Sequence, residues 1–172
     1  MAVVLVEGIS DRIAVEAAAR LLGRDLVAEG VEVVPIGGAQ AIRGALESHR
    51  GERLAGLCDA GEERHFRRAL GVADRPEMER RGFFVCVETL EDELIRALGV
   101  SRVERVLAAQ GDLETFRNFQ NQPAWRGRAV EAQLGRWLHA ADRRNTRYPP
   151  LLIAALDPGQ IPPPLDGVLA HV

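Results

Sequence analysis

The chain contains no lysine: all 22 of its basic residues are arginine, set against 25 aspartates and glutamates. That absence excludes every chemistry that needs a lysine amine, including the phosphate-binding lysine of a GxxxxGK loop, a Schiff base and a lysine electrophile. Cysteine is nearly as scarce. Cys58 and Cys86 are the only two, both at the ends of apolar strand-like runs, so they read as buried thiols and argue against a disulfide framework or a thiolate metal site. The four histidines, His49, His65, His139 and His171, are scattered without metal-ligand spacing and are read as non-functional. No apolar run approaches the roughly 20 residues that cross a bilayer, and the N-terminus shows no basic stretch leading into an apolar core and a small-residue cleavage site. A soluble, cytoplasmic protein without a membrane partner is expected.

What the sequence does contain is a regular alternation. At 172 residues, 47% of them hydrophobic, the chain suffices for one sizeable core and is short for two. "AVVLV" at 2–6 is a continuous apolar, β-branched run of the kind buried on both faces of a parallel sheet. Ser10 reads as the N-cap of a helix whose Ile13, Ala17, Leu21 and Leu22 repeat at helical spacing and stop at Gly23. There follow a strand "VEVVPI", a helix "AQAIRGALESH", a strand "RLAGLCD", a helix near "EERHFRRAL", a loop around Pro76 and a strand "GFFVCV". This βαβαβαβ order predicts an α/β fold of Rossmann-like type, a four-stranded parallel sheet flanked by helices. From "LEDELIRALG" onward helices dominate: "SRVERVLAAQG", "DLETFRNFQ", "GRAVEAQLGRWLHAA" and "YPPLLIAALD". The proline-rich tail "PGQIPPPLDGVL" reads as a packed cap. The expected organisation is an α/β core over 1–100 and a helical extension over 101–172 packed on the same domain.

Two of the predicted strands end on charge, Glu7 after "VVLV" and Asp59 after "LAGLC". In an open parallel sheet ligands bind beyond the carboxyl ends of the strands where the winding reverses, so a strand order of 2-1-3-4 brings Glu7 and Asp59 face to face. Asp11 adds a carboxylate one helical turn after Glu7, and Glu62 and Glu63 fall in the first turn after Asp59. Clustered carboxylates repel one another and favour a divalent cation; oxygen donors without a His or Cys motif point to Mg2+ or Mn2+ ahead of Zn2+. Taken singly, Asp11, Glu62 and Glu63 also fit the plain role of acids that complement a helix dipole.

These residues carry a resemblance. "VLVEGISD" resembles the first motif of the Toprim domain, a glutamate at the end of strand 1 followed by glycine and, four positions on, by an acid; "GLCDAGEE" resembles the second, the aspartate-rich end of strand 3. "VVPIGGAQAI", "FVCVETLEDELIRALG" and "RYPPLLIAALDPGQIPPPLDGVL" are similar to the corresponding stretches of Toprim domains in the overcoming-lysogenization-defect (OLD) family of nucleases. The resemblance implies a metal-dependent endonuclease, a phosphodiester hydrolase, with DNA favoured over RNA. Glu7 and Asp11 would lie on one metal side, Asp59 on the strand-3 side, with Glu91 of "TLE" as a further ligand. Two cations about 4 Å apart would then activate a water and stabilise the leaving oxygen.

The chain departs from the family pattern at three places. Gly61 stands where the second acid of a D-x-D motif is expected, leaving Glu62 or Glu63 to substitute. Asn145, three residues before Tyr148, stands where the family has lysine. There is no GxxxxGK, so any ATPase partner is expected to be a separate polypeptide. A catalytically weakened Toprim-like module that binds nucleic acid or a partner protein without cutting is therefore the alternative. Under either reading the segment from Arg117 to Arg147 is notable for seven arginines against Glu131 and Asp142. Trp125 beside Arg126 and Arg128, with Arg144 and Arg147 further on, suits phosphate contact and base stacking, although the aromatics could equally pack a helical layer beneath a solvated face.

Overall fold

A computed structural model describes all 172 residues. Strands β1 (Ala2–Val6), β2 (Val31–Pro35), β3 (Arg53–Asp59) and β4 (Phe83–Cys86) form one parallel sheet in the order β2-β1-β3-β4, as expected. The central strand explains why an unbroken apolar run is needed. Successive side chains of β1 point to opposite faces, so Val3 and Leu5 enter one hydrophobic cluster while Val4 and Val6 enter the other. A run that alternated with polar residues would leave one of those clusters without its centre.

The smaller cluster lies beneath a 3-10 turn at Ala39–Ala41 and helices α2 (Ile42–Ser48), α3 (Glu63–Leu70) and α4 (Arg75–Arg80), which contribute Ile42, Phe66 and Met78. The larger cluster lies beneath α1 (Ile9–Leu21), α5 (Leu90–Leu98), α6 (Val100–Ala109), α7 (Leu113–Gln120), α8 (Val130–His139), α9 (Asp142–Ala154) and α10 (Pro163–His171). The helices after residue 100 thus share one core with the sheet. α9 runs against α1, and α10 covers β3 and β4. The proline-rich tail is the packed cap expected, with Pro164, Leu165, Val168 and Leu169 all buried.

Three local expectations are corrected. Helix α1 is capped at Gly8, two residues before Ser10, because the Asp11 carboxylate turns back to accept the Gly8 N–H. The loop around Pro76 contains a helix, α4: proline in a first turn needs no hydrogen bond, and the Asp74 side chain caps that turn by accepting the Glu77 N–H. Helix α9 begins six residues before Tyr148, so the arginines of "DRRNTRY" are helical, with Pro149 and Pro150 inside the helix. No helix is long and apolar enough to cross a membrane.

Candidate functional site

Glu7 is the first residue beyond β1, and Asp59 is the last of β3. Val6 pairs with Leu57 across the two strands, so both carboxylates leave the sheet at the same end, where the winding reverses between β1 and β3. Glu7 Oε1 accepts the Asp59 N–H at 2.8 Å and ties the strand ends together. Asp11 is held one turn above by its bond from the Gly8 N–H, also at 2.8 Å. On the other side, the Asp59 carboxylate faces the N-terminus of α5, where the Leu90 N–H favours its charged form. Thr89 and Asp92 fix that turn by a reciprocal cap, Thr89 Oγ1 donating to Asp92 Oδ2 at 2.7 Å. This cap also places Glu91, only 5% exposed, on the site side of α5.

Glu7, Asp11, Asp59 and Glu91, with Gly8, Ser10 and His139, line one cavity of about 220 Å3. The carboxylates form its walls without closing on a single coordination point. Burial pushes the Asp59 carboxyl up to about 8, and Asp11, Glu7 and Glu91 push in the same direction. Burial likewise pushes Asp11 up to about 7, with Glu7 and Glu91 adding to it and the Gly8 N–H opposing. Glu7 is raised too, chiefly by burial, with the Asp59 N–H working against it. Raised carboxyl groups in one cavity mark a negative potential that a bound cation would relieve.

The remaining acids named from the sequence lie elsewhere. Glu63 is drawn into ion pairs with Arg75 at 2.6 Å and Arg67 at 3.7 Å. Glu62 lies 3.5 Å from His65 Nε2 with its side chain 43% exposed, and its charge is felt at Glu7. Gly61 has nothing within 4 Å of where a Cβ would stand. Asn145 is half-buried in the first turns of α9, and its Oδ1 is buried without a hydrogen-bond partner.

The nucleic-acid candidates divide into two groups. Arg126 and Arg128 are exposed on the connection between α7 and α8, where Arg128 lies 5.0 Å over the Trp125 ring and Trp125 packs on Phe119 at 5.2 Å. Arg144, by contrast, lies 3.9 Å over the buried Trp137 ring and donates to the Trp137 carbonyl at 3.0 Å. Arg147 is bonded to Asp112 at 3.3 Å and Gln110 at 2.7 Å. The latter two arginines are therefore already engaged within the helical layer.

One lining residue was read from the sequence as non-functional. His139, the last residue of α8, reaches the cavity with Nδ1 3.8 Å from Glu91 Oε2. Its position depends on how α8 packs against α5, and no local pattern reports that.

Comparison with known proteins bears on the fold that carries this cavity. Residues 1–49 match the family described as overcoming lysogenization defect protein-like, TOPRIM domain. Over 99% of its length the chain superposes on the C-terminal region of the Burkholderia pseudomallei OLD protein, covering 95% of that chain with a TM-score of 0.74 at 18% identity. It is similar in the same way to the C-terminal region of the Xanthomonas campestris pv. campestris OLD protein, with a TM-score of 0.70 at 22% identity, covering 99% of this chain and 92% of the other. No curated protein matches the chain. The resemblance read from the motifs thus holds in sequence at the N-terminal end and in fold throughout.

Proposed function

We propose that this chain is a Mg2+- or Mn2+-dependent nuclease of the OLD-type Toprim class, hydrolysing phosphodiester bonds at the carboxylate cavity. The observation that carries the reading is the convergence of Glu7, Asp11, Asp59 and Glu91 on one cavity at the switch point of the sheet, with no arginine among the lining residues. The donor set fits a hard divalent cation: carboxylate oxygens from the end of β1, α1, β3 and α5, three of them raised chiefly by burial and two of those also by their carboxylate neighbours in the cavity. When bound, such a cation supplies positive charge that draws a phosphodiester and a water together and stabilises charge on the leaving oxygen.

The chain's own residues do the holding. Glu7, Asp11 and Asp59 are the proposed catalytic carboxylates, with Glu91 as a further ligand and Glu62 as the acid free to stand in at the position of Gly61. Two backbone bonds, from Asp59 N–H to Glu7 and from Gly8 N–H to Asp11, fix these side chains before any ligand arrives. The weakened, non-cutting module remains the second reading, favoured by Gly61 and Asn145, which leave the site one acid and one cation short of the family pattern.

Glu7→Gln is the discriminating variant because glutamine keeps an oxygen to accept the Asp59 N–H while removing the charge. Nicking of supercoiled plasmid in Mn2+ is expected to fall by about a hundredfold or more, with a melting temperature in EDTA no lower than the parent's. A parent inactive on both DNA and RNA in Mg2+ and Mn2+, yet stabilised by those ions, would leave the binding module as the function.

For the nucleic-acid partner, the exposed Trp125–Arg126–Arg128 connection is the proposed contact. Replacing Arg126 and Arg128 by alanine is expected to weaken oligonucleotide binding and to lower its salt dependence by about one unit of slope per lost phosphate contact. Unchanged binding would return those arginines to a solvated face.

A further inference from the structure

The carboxylate cavity has a neighbour. Between α5 and α8 runs a groove of about 660 Å3 whose walls include Arg96, Arg136 and His139. His139 lines both this groove and the carboxylate cavity, so the two spaces meet at that side chain. Helix α8 can lie close to α5 because residue 135 is glycine: a Cβ there would stand 2.5 Å from Asp92 Oδ1. That close approach aims the last turn of α8 at the site.

Charge in the groove is unequally committed. Asp92 is used by Thr89 in capping α5, and Arg96 is paired with Glu93 at 3.0 Å and Glu88 at 3.6 Å. Arg136 is exposed and makes no ion pair or hydrogen bond within the chain. It precedes His139 by three residues on the same helical face, about 4.5 Å along the axis. Glu131, the remaining acid, stands eight residues and about 12 Å of helix rise from His139, at the far end of the groove.

We propose that the groove between α5 and α8 is the track by which a nucleic-acid strand enters the carboxylate cavity, with Arg136 donating to a phosphate next to the one that is cleaved. Arg136 stands outside the carboxylate cavity and stays charged at any working pH, so it supplies a phosphate-seeking group that the cavity lining lacks. This inference rests on the nuclease reading of the cavity and deepens it.

The test is fluorescence anisotropy of a labelled oligonucleotide in Ca2+, comparing the parent with Arg136→Ala and with Arg20→Ala, which removes an exposed arginine at the opposite end of α1 from Asp11. Mn2+-induced melting shifts are recorded in parallel on all three. The groove variant is expected to weaken binding roughly tenfold and lower the salt slope by about one, with its Mn2+ shift intact and Arg20→Ala unchanged. Binding unaltered in the groove variant, in a protein that still responds to Mn2+, overturns the track. A parent with no Mn2+ response overturns the metal reading beneath it, a separate failure that the melting data alone reveal.

Discussion

In EDTA the protein is expected to lose thermal stability as the pH rises from about 4 to 8. Asp11 and Asp59 are pushed up to about 7 and about 8 in the folded chain, first by burial and then by their carboxylate neighbours, with Glu7 raised alongside them. In the unfolded chain all three titrate near 4. Across the interval the folded state keeps protons that the unfolded state has released, so stability is fully present below the unfolded value and drains away as the folded groups ionise. For a chain of this size the fall should be about 10 °C in melting temperature.

Millimolar Mn2+ or Mg2+ should reverse the trend, because the ions bind the ionised carboxylates and their affinity rises as the protons leave. Asp59→Asn sharpens the test. Its amide keeps an oxygen toward the N-terminus of α5 but removes one buried charge, so the variant should melt higher than the parent at pH 8 in EDTA and respond little to Mn2+. A melting temperature in EDTA that stays flat from pH 4 to 8 would mean that the three carboxylates are solvated and do not feel one another, and the cavity would lose its claim to a cation.

How far the sequence announced this site depended on the range of the interactions involved. Glu7 and Asp59 were legible because a charge closing a β-branched apolar run is a local event, and the parallel order of the sheet then brings the two together. Asp11 followed from helical spacing. Glu91 came only through the family resemblance, since its place in the cavity depends on the Thr89 cap and on where β4 delivers α5. His139 and Arg136 were invisible for a related reason: Gly135 sets the approach of α8 to α5, and a glycine inside a helix does not name its partner. The same limit explains Arg144 and Arg147. Each looked like a free cation in the sequence, whereas Trp137 and Asp112, brought in by packing, occupy them. Proline misled twice, at Pro76 and at Pro149, because its effect on a helix depends on what caps or packs the preceding residues.

The two departures from the family pattern can be restored separately, and the structure shows open space for the first. Gly61 has open space around its missing Cβ and no left-handed backbone, so Gly61→Asp adds a carboxylate beside Asp59 at little conformational cost. It should act mainly on metal affinity, because another anionic oxygen joins those around the cation. Asn145→Lys replaces a half-buried side chain whose oxygen has no partner, and restores the amine that the resemblance implies beside the substrate. It should act mainly on turnover, since a cation beside the scissile phosphate matters most as charge develops there. The double variant is expected to nick supercoiled plasmid in Mn2+ about a hundredfold faster than the parent, the scale of one well-placed electrostatic group. Glu62 decides the alternative. Glu63 is held by Arg75, so if an acid already compensates for Gly61 it is Glu62, which is largely free and electrostatically coupled to Glu7. In that case the parent nicks measurably, Gly61→Asp adds little, and Glu62→Gln inactivates. Should neither the parent nor the double variant cut DNA or RNA with any divalent ion, while both still show the Mn2+ melting shift, the nuclease reading falls and the chain is a binding module built on a metal-holding fold.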